Sequence, residues 1–185
     1  MRRFFDISFT ILLSPIILLI CIISSILIKF ESPGPVFFCS QRVGKNGDIF
    51  TIYKLRTMKI NTPLLPTSDS SVSNYVTRTG RLLRSFSIDE LPQFLNILNG
   101  NMTLIGPRPC LKSQDRLIKK RKDFGIFKMK PGLTGLAQVK GRDSLSTKNK
   151  IRYENFYLLN QSLKLDLYIF VMSFIKVFKT KDINH

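Results

Sequence analysis

Residues 7–28 read ISFTILLSPIILLICIISSILI, without one charged side chain. As a straight helix these 22 residues would cover about 33 Å, enough for the hydrocarbon core of a bilayer. The stretch is too long and too apolar for a buried helix in so small a chain. A cleaved leader fits poorly, because Asp6 interrupts the basic start MRRFFD and no small-x-small site precedes the polar sequence. Cys21 follows Ile20 rather than a small residue, which argues against lipoprotein processing. The segment therefore reads as a membrane helix, and the question is whether it crosses.

Ser14-Pro15 lies in mid-segment. Proline removes one amide hydrogen bond and bends a helix, and a serine hydroxyl can occupy a backbone group so freed. Crossing would put Arg2 and Arg3 on one side and nearly every other basic residue on the opposite side, against the tendency of cytoplasmic flanks to carry Lys and Arg. A bent, re-entrant helix that enters and leaves by one face removes the conflict. A straight anchor with a tolerated proline kink is the alternative.

The chain has 185 residues, one domain's worth, with 29 Lys+Arg against 12 Asp+Glu and a net charge of +17. Such an excess serves a nucleic-acid surface, an anionic membrane surface or a site for phosphorylated substrates. Cys21, Cys39 and Cys110 are odd in number and unrelated in spacing, and the one histidine is His185, so neither a disulfide framework nor a zinc site is indicated. The division expected is a re-entrant membrane helix over 1–30 and one catalytic unit over 31–185.

Beyond the membrane segment, two short apolar runs flank the turn Gly44-Lys45-Asn46-Gly47 and predict a β-hairpin. Residues 61–74 have loop composition. RTGRLLRSF and LPQFLNILNG have helical spacing, with Gly100 as a stop. MTLIGPRP is a short apolar run ending in a rigid Pro-Arg-Pro, DRLIKKRKDF predicts a charged helix, and KPGLTGLAQVKGR predicts turns around a short strand. The tail LKLDLYIFVMSFIKVFKTK is uncharged only over 167–175, too short to span, and predicts a buried or interfacial helix. The fold class expected is α+β and helix-dominated: a re-entrant membrane helix, a small hairpin and amphipathic interfacial helices around one catalytic domain.

Asp89 and Glu90 are the only adjacent acids in this basic chain. SIDE over 87–90 matches a capping box, with Ser87 as cap and Glu90 reaching back. Pro92 speaks against it, because its missing amide would then fall past the first turn, whereas a helix starting at Ile88 or Asp89 places it where no amide is needed. Asp89 would then sit at a helix start, which favours an anion or a phosphate, amid Arg78, Arg81, Arg84 and Arg108. An aspartate can attack phosphorus while cations hold the phosphate oxygens. The run KKRK over 119–122 reads as a solvated helix face or a headgroup contact.

The stretches ESPGPVFF, QRVGKNGDIFTIYKLRTM, TRTGRLLRSFSIDELPQFLNILNGNMTLIGPRP and KPGLTGLAQVKGR, in this order over about residues 1–178, resemble the bacterial sugar transferase family in its small monotopic form. The resemblance implies transfer of a sugar-1-phosphate from a UDP-sugar to polyprenol (undecaprenyl) phosphate at the cytoplasmic face of the bacterial inner membrane, as the first membrane step of surface glycan synthesis. Asp89 would be the nucleophile on the β-phosphate, releasing UMP and leaving a phosphosugar-aspartyl intermediate. Glu90 would orient a metal or accept a proton, and both carboxylates would meet the required Mg²⁺. Arg84 and Arg108, with Lys54 and Arg56 as weaker candidates, would hold phosphate oxygens, and Ser14-Pro15 would be the membrane-helix break. Anionic lipids are expected partners, nucleic acid is not, and a homodimer stays open. Asn101 stands where the family usually has an acid, and Lys140 where it usually has Asn. The rival readings are a non-catalytic basic protein of membrane surfaces or nucleic acid, and an inactive relative kept as an interaction module.

Overall fold

A computed structural model of the chain describes residues 2–60, 62 and 74–178. Most of the loop expected at 61–74 lies outside the described residues. Helices dominate, with two small sheets.

Helix α1, Arg2–Glu31, contains the whole apolar segment with Pro15 inside it. Its most apolar 18-residue window has a mean hydropathy of 3.0 with 11% of it buried, so it is long and apolar enough to cross a membrane. Most of its large side chains stand exposed, Phe4, Leu12 and Phe30 among them. Ser14 Oγ donates 2.7 Å to the carbonyl of Ile11.

Both ends of α1 are fastened to the rest of the protein. At its start, Arg3 donates to the carbonyls of Ile97 and Leu98, Arg2 pairs with Asp166 at 3.1 Å, and buried Asp6 accepts from Thr103 Oγ1 at 2.7 Å and from the Leu104 amide at 3.1 Å. At its other end, Glu31 accepts from the amides of Arg78 and Thr79 at 2.6 and 2.8 Å. Ile28 packs in a cluster with Leu55 and Leu83.

The expected hairpin forms from β1, Phe37–Val43, and β2, Ile49–Leu55, paired antiparallel around a turn in which Asn46 and Gly47 take φ values of 56° and 88°. Strand β4, Cys110–Leu111, adds to β1 opposite Arg42 and Val43. Helix α2, Arg78–Ser85, follows, capped by Thr77. A Cβ at Gly80 would stand 2.1 Å from the Thr57 carbonyl, so only glycine lets α2 lie this close to the end of β2. Helix α3, Gln93–Leu98, ends at Gly100 with φ 81°, as the sequence predicts. Strand β3, Thr103–Ile105, pairs parallel with β5, Gly132–Thr134. Ile52 of β2, Phe94 and Ile97 of α3, Met102 and Leu104 form the main core.

Helices α4, Asp115–Asp123, and α7, Leu163–Phe178, fall where the sequence puts them. Two helices go beyond the expectation. Residues 136–140 form α5, Leu136–Lys140, directly after β5, and α6, Thr147–Leu159, fills a stretch that carried no assignment. Leu136 and Val139 of α5, Tyr157 of α6 and Ile169 of α7 make the second core. The KKRK run also needs correction. Lys119, Lys120 and Lys122 are exposed, but Arg121 is 3% exposed and forms a bidentate pair with buried Glu154 at 2.9 and 2.6 Å. Burial alone would lower the Arg121 pKa; Glu154 more than offsets it and holds the guanidinium charged.

Candidate active site

The chain turns sharply after α2. Ser87 takes the left-handed conformation, φ 56° and ψ 22°, and Ile88–Glu90 form one 3₁₀ turn before Pro92 leads into α3. The capping box does not form: Ser87 makes no side-chain cap, and the Glu90 carboxylate points to Lys54 and Arg108 instead of back to the chain. Asp89 accordingly lies in the turn ahead of α3, not in its first helical turn. Buried Asn96 locks this helix to the hairpin, accepting from the Tyr53 amide at 3.2 Å and donating to the Thr51 carbonyl at 2.7 Å.

The two carboxylates are both buried, Asp89 at 8% and Glu90 at 7% exposure, yet their environments differ. Glu90 Oε1 lies 2.7 Å from Lys54 Nζ, and Arg108 bridges both oxygens at 2.8 and 3.3 Å. Burial works to raise the Glu90 carboxyl, but Arg108 and Lys54 outweigh it and hold it well below the usual range. Glu90 is a fixed anion. Among the described residues, Asp89 has only Lys54 within salt-bridge range, at 3.9 Å. Burial raises its pKa, Lys54 pulls it down and the neighbouring Glu90 charge pushes it up, with a net upward shift. A carboxylate kept from water and left without tight partners is a better nucleophile than one already clamped.

Arg84, on α2, donates from Nε to Thr57 Oγ1 at 2.9 Å; burial lowers its pKa and the Asp89 charge raises it. Lys54, Arg84 and Arg108 are thus brought together around the acid pair. Arg56 is not. Its guanidinium donates to the carbonyls of Pro33 and Ser32 at 2.7 and 2.6 Å and ties β2 to the linker behind the membrane helix. Ser14 and Pro15 stand apart in α1. Of the two departures from the family pattern, Asn101 is exposed and Lys140 contacts the hydroxyl of Tyr168 at 3.1 Å.

Two cations escaped the sequence reading. Arg42 on β1 and Arg142, which follows α5, both lie near enough to interact with Glu90. Their signals, QRVG and KGR, were visible as motifs without an assigned role. Among the described residues no three metal-binding side chains cluster. The site instead offers two adjacent carboxylates, a donor set that suits Mg²⁺ when phosphate oxygens of a substrate complete its shell.

The family model for the bacterial sugar transferases matches residues 1–180. The chain is 37% identical to the uncharacterized sugar transferase EpsL of Bacillus subtilis, over all of this chain and 90% of that protein. It is 37% identical over 97% of its length to the UDP-N-acetylgalactosamine-undecaprenyl-phosphate N-acetylgalactosaminephosphotransferase of Aeromonas hydrophila, covering 42% of that longer protein. It is 41% identical over 76% of its length to the UDP-glucose:undecaprenyl-phosphate glucose-1-phosphate transferase of Caulobacter vibrioides, covering 54% of it. With the motifs in order along the whole chain and the acid pair set among cations, this protein belongs to the bacterial sugar transferase family.

Proposed function

We propose that the protein transfers a sugar-1-phosphate from a UDP-sugar to undecaprenyl phosphate, releasing UMP. One observation carries this reading: Asp89 is a buried carboxylate free of tight pairing, beside an anion already neutralised by Lys54 and Arg108. The names of the Aeromonas and Caulobacter relatives supply the two substrates.

An Asp89 carboxylate oxygen attacks the β-phosphorus, a new P–O bond forms, and the bond to the bridging oxygen breaks as UMP leaves with that oxygen's electron pair. An oxygen of the lipid phosphate then attacks the same phosphorus and the aspartyl P–O bond breaks, restoring the carboxylate. Arg84 stabilises the charge that develops on the phosphoryl oxygens. Glu90, held ionised, is a weak base; its role is to fix Lys54 and Arg108 beside the reacting group. Mg²⁺ held by Asp89, Glu90 and the diphosphate would offset the substrate's negative charge.

The membrane helix is re-entrant in this reading, and the protein sits on the cytoplasmic face with the exposed apolar rows of α1 and of α7 (Leu163, Leu167, Val171 and Phe174) in the lipid. Support comes from the polar contacts at both ends of α1 with one and the same body. A helix that crossed would place about 30 Å of hydrocarbon between those ends and break one set.

The test is UMP release from a panel of UDP-sugars with Mg²⁺ and undecaprenyl phosphate in detergent. Release with at least one sugar is expected, together with a labelled sugar-phosphate adduct on the protein when the lipid is withheld. No release with any sugar would remove the reading.

A further inference from the structure

Three cations around the acid pair are already engaged. Lys54 and Arg108 pair with Glu90, and Arg84 donates to Thr57. Arg42 differs. Among the described residues it forms no ion pair within 4 Å, and its buried Nε has no hydrogen-bond partner. An arginine donor shut from water without an acceptor is costly and calls for a reason, of which a functional role is one.

Its position is set by strand register. Arg42 lies opposite Phe50 on the face of the hairpin that carries Ile52 and Lys54, whose own partners are Ser40 and Phe38. Phe50 and Ile52 belong to the main core, so this face points inward, toward α3 and the acid pair. Arg42 and the strand position opposite Lys54 are four residues apart on β1, or about 13 Å along the strand. The two long side chains therefore approach Glu90 from opposite ends of the hairpin. The charges that act on Arg42 are those of Arg108, Glu90 and Cys110, whereas Arg84 responds to Asp89. Of these two, Arg84 serves the side of Asp89 and Arg42 the side of Glu90.

We propose that Arg42 holds the nucleotide-side phosphate of the UDP-sugar, the one that departs in UMP, while Arg84 serves the phosphorus attacked by Asp89. This rests on the function proposed above. A diphosphate in line with Asp89 places its leaving phosphate farther from the nucleophile, where Arg42 Nε has a donor to offer. The lipid phosphate, which takes the same phosphorus after UMP has gone, has no need of Arg42.

The test uses the full chain in detergent with three measurements: UMP binding by calorimetry, UMP inhibition of turnover, and the KM for undecaprenyl phosphate. Arg42→Gln should weaken UMP binding and inhibition about tenfold or more, the usual worth of a charge-assisted bond to phosphate. Arg42→Lys should recover part of the loss, and the KM for the lipid should stay within about twofold. UMP affinity unchanged in both variants, or an equal loss toward the lipid phosphate, overturns the assignment. So does failure of both variants to fold, which would make Arg42 structural. If the unaltered protein neither binds UMP nor releases it from any UDP-sugar, the proposed function itself fails; if it does both and Arg42→Gln binds UMP normally, only the assignment of Arg42 fails.

Discussion

Ser14 Oγ donates a 2.7 Å hydrogen bond to the carbonyl of Ile11, the group four residues before Pro15 that the proline cannot serve. In lipid a vacant carbonyl costs several kcal/mol by transfer scales. The serine satisfies it and so makes the proline tolerable in the middle of a membrane segment.

This yields a topology prediction. Single cysteines at Phe4 and Lys45 should label from the same side of intact spheroplasts, and Pro15→Leu should shift part of the population toward labelling from opposite sides. Opposite-side labelling without the Pro15 change would show a crossing helix.

Asp89→Asn should abolish turnover while the thermal melt stays near that of the unaltered protein, because an amide fits the same turn but does not attack phosphorus. Glu90→Gln should instead leave a labelled adduct detectable at reduced rate, since its role is to hold Lys54 and Arg108. Turnover by the Asn variant close to the original level would end the case for the nucleophile.

The pH profile tests the charge of Lys54 beside Asp89. Asp89 must be ionised to attack, and its pKa is already raised by burial while Lys54 draws it down. Removing that charge with Lys54→Met raises the pKa further, so the acid limb of kcat/KM should move toward neutral pH. A limb that stays in place or moves to lower pH contradicts the arrangement.

Within KKRK the four residues should behave in two ways. Replacing Lys119, Lys120 and Lys122 together should weaken liposome binding at low salt by about 1 kcal/mol per lysine near the surface and leave turnover in detergent unchanged. Arg121→Met strands Glu154 as a buried charge and should cost about 3–5 kcal/mol of stability by denaturant titration. Equal stability of the two variants would mean that the Arg121–Glu154 pair contributes little.

The acid pair was legible because two adjacent carboxylates are conspicuous in a chain of net charge +17. The membrane helix and hairpin were legible from uninterrupted apolarity and turn chemistry. Arg42 and Arg142 were not, because their approach to Glu90 depends on strand register and on a connection some fifty residues away, neither of which local periodicity encodes. Helix α5 was hidden by the flanking glycines Gly135 and Gly141, which read as turns. Arg121 had a missed signal: it lies three and four residues after Ile118 and Leu117, on their side of α4, so helical spacing already placed it on the inward stripe. Arg56 was misjudged for a different reason, since nothing in YKLRTM distinguishes a guanidinium that binds phosphate from one that holds a linker's carbonyls.

Asp6 has a consequence for the order of synthesis. The groups that donate to its carboxylate, Thr103 Oγ1 and the Leu104 amide, lie 97 and 98 residues later in the chain. At about 5–20 residues per second, they emerge from the ribosome roughly five to twenty seconds after Asp6 does. Throughout that interval the greasy start of the chain is outside the ribosome while the groups that will receive its carboxylate do not yet exist. Asp6 is therefore a latch that can close only after synthesis has passed the turn at Ser87–Glu90.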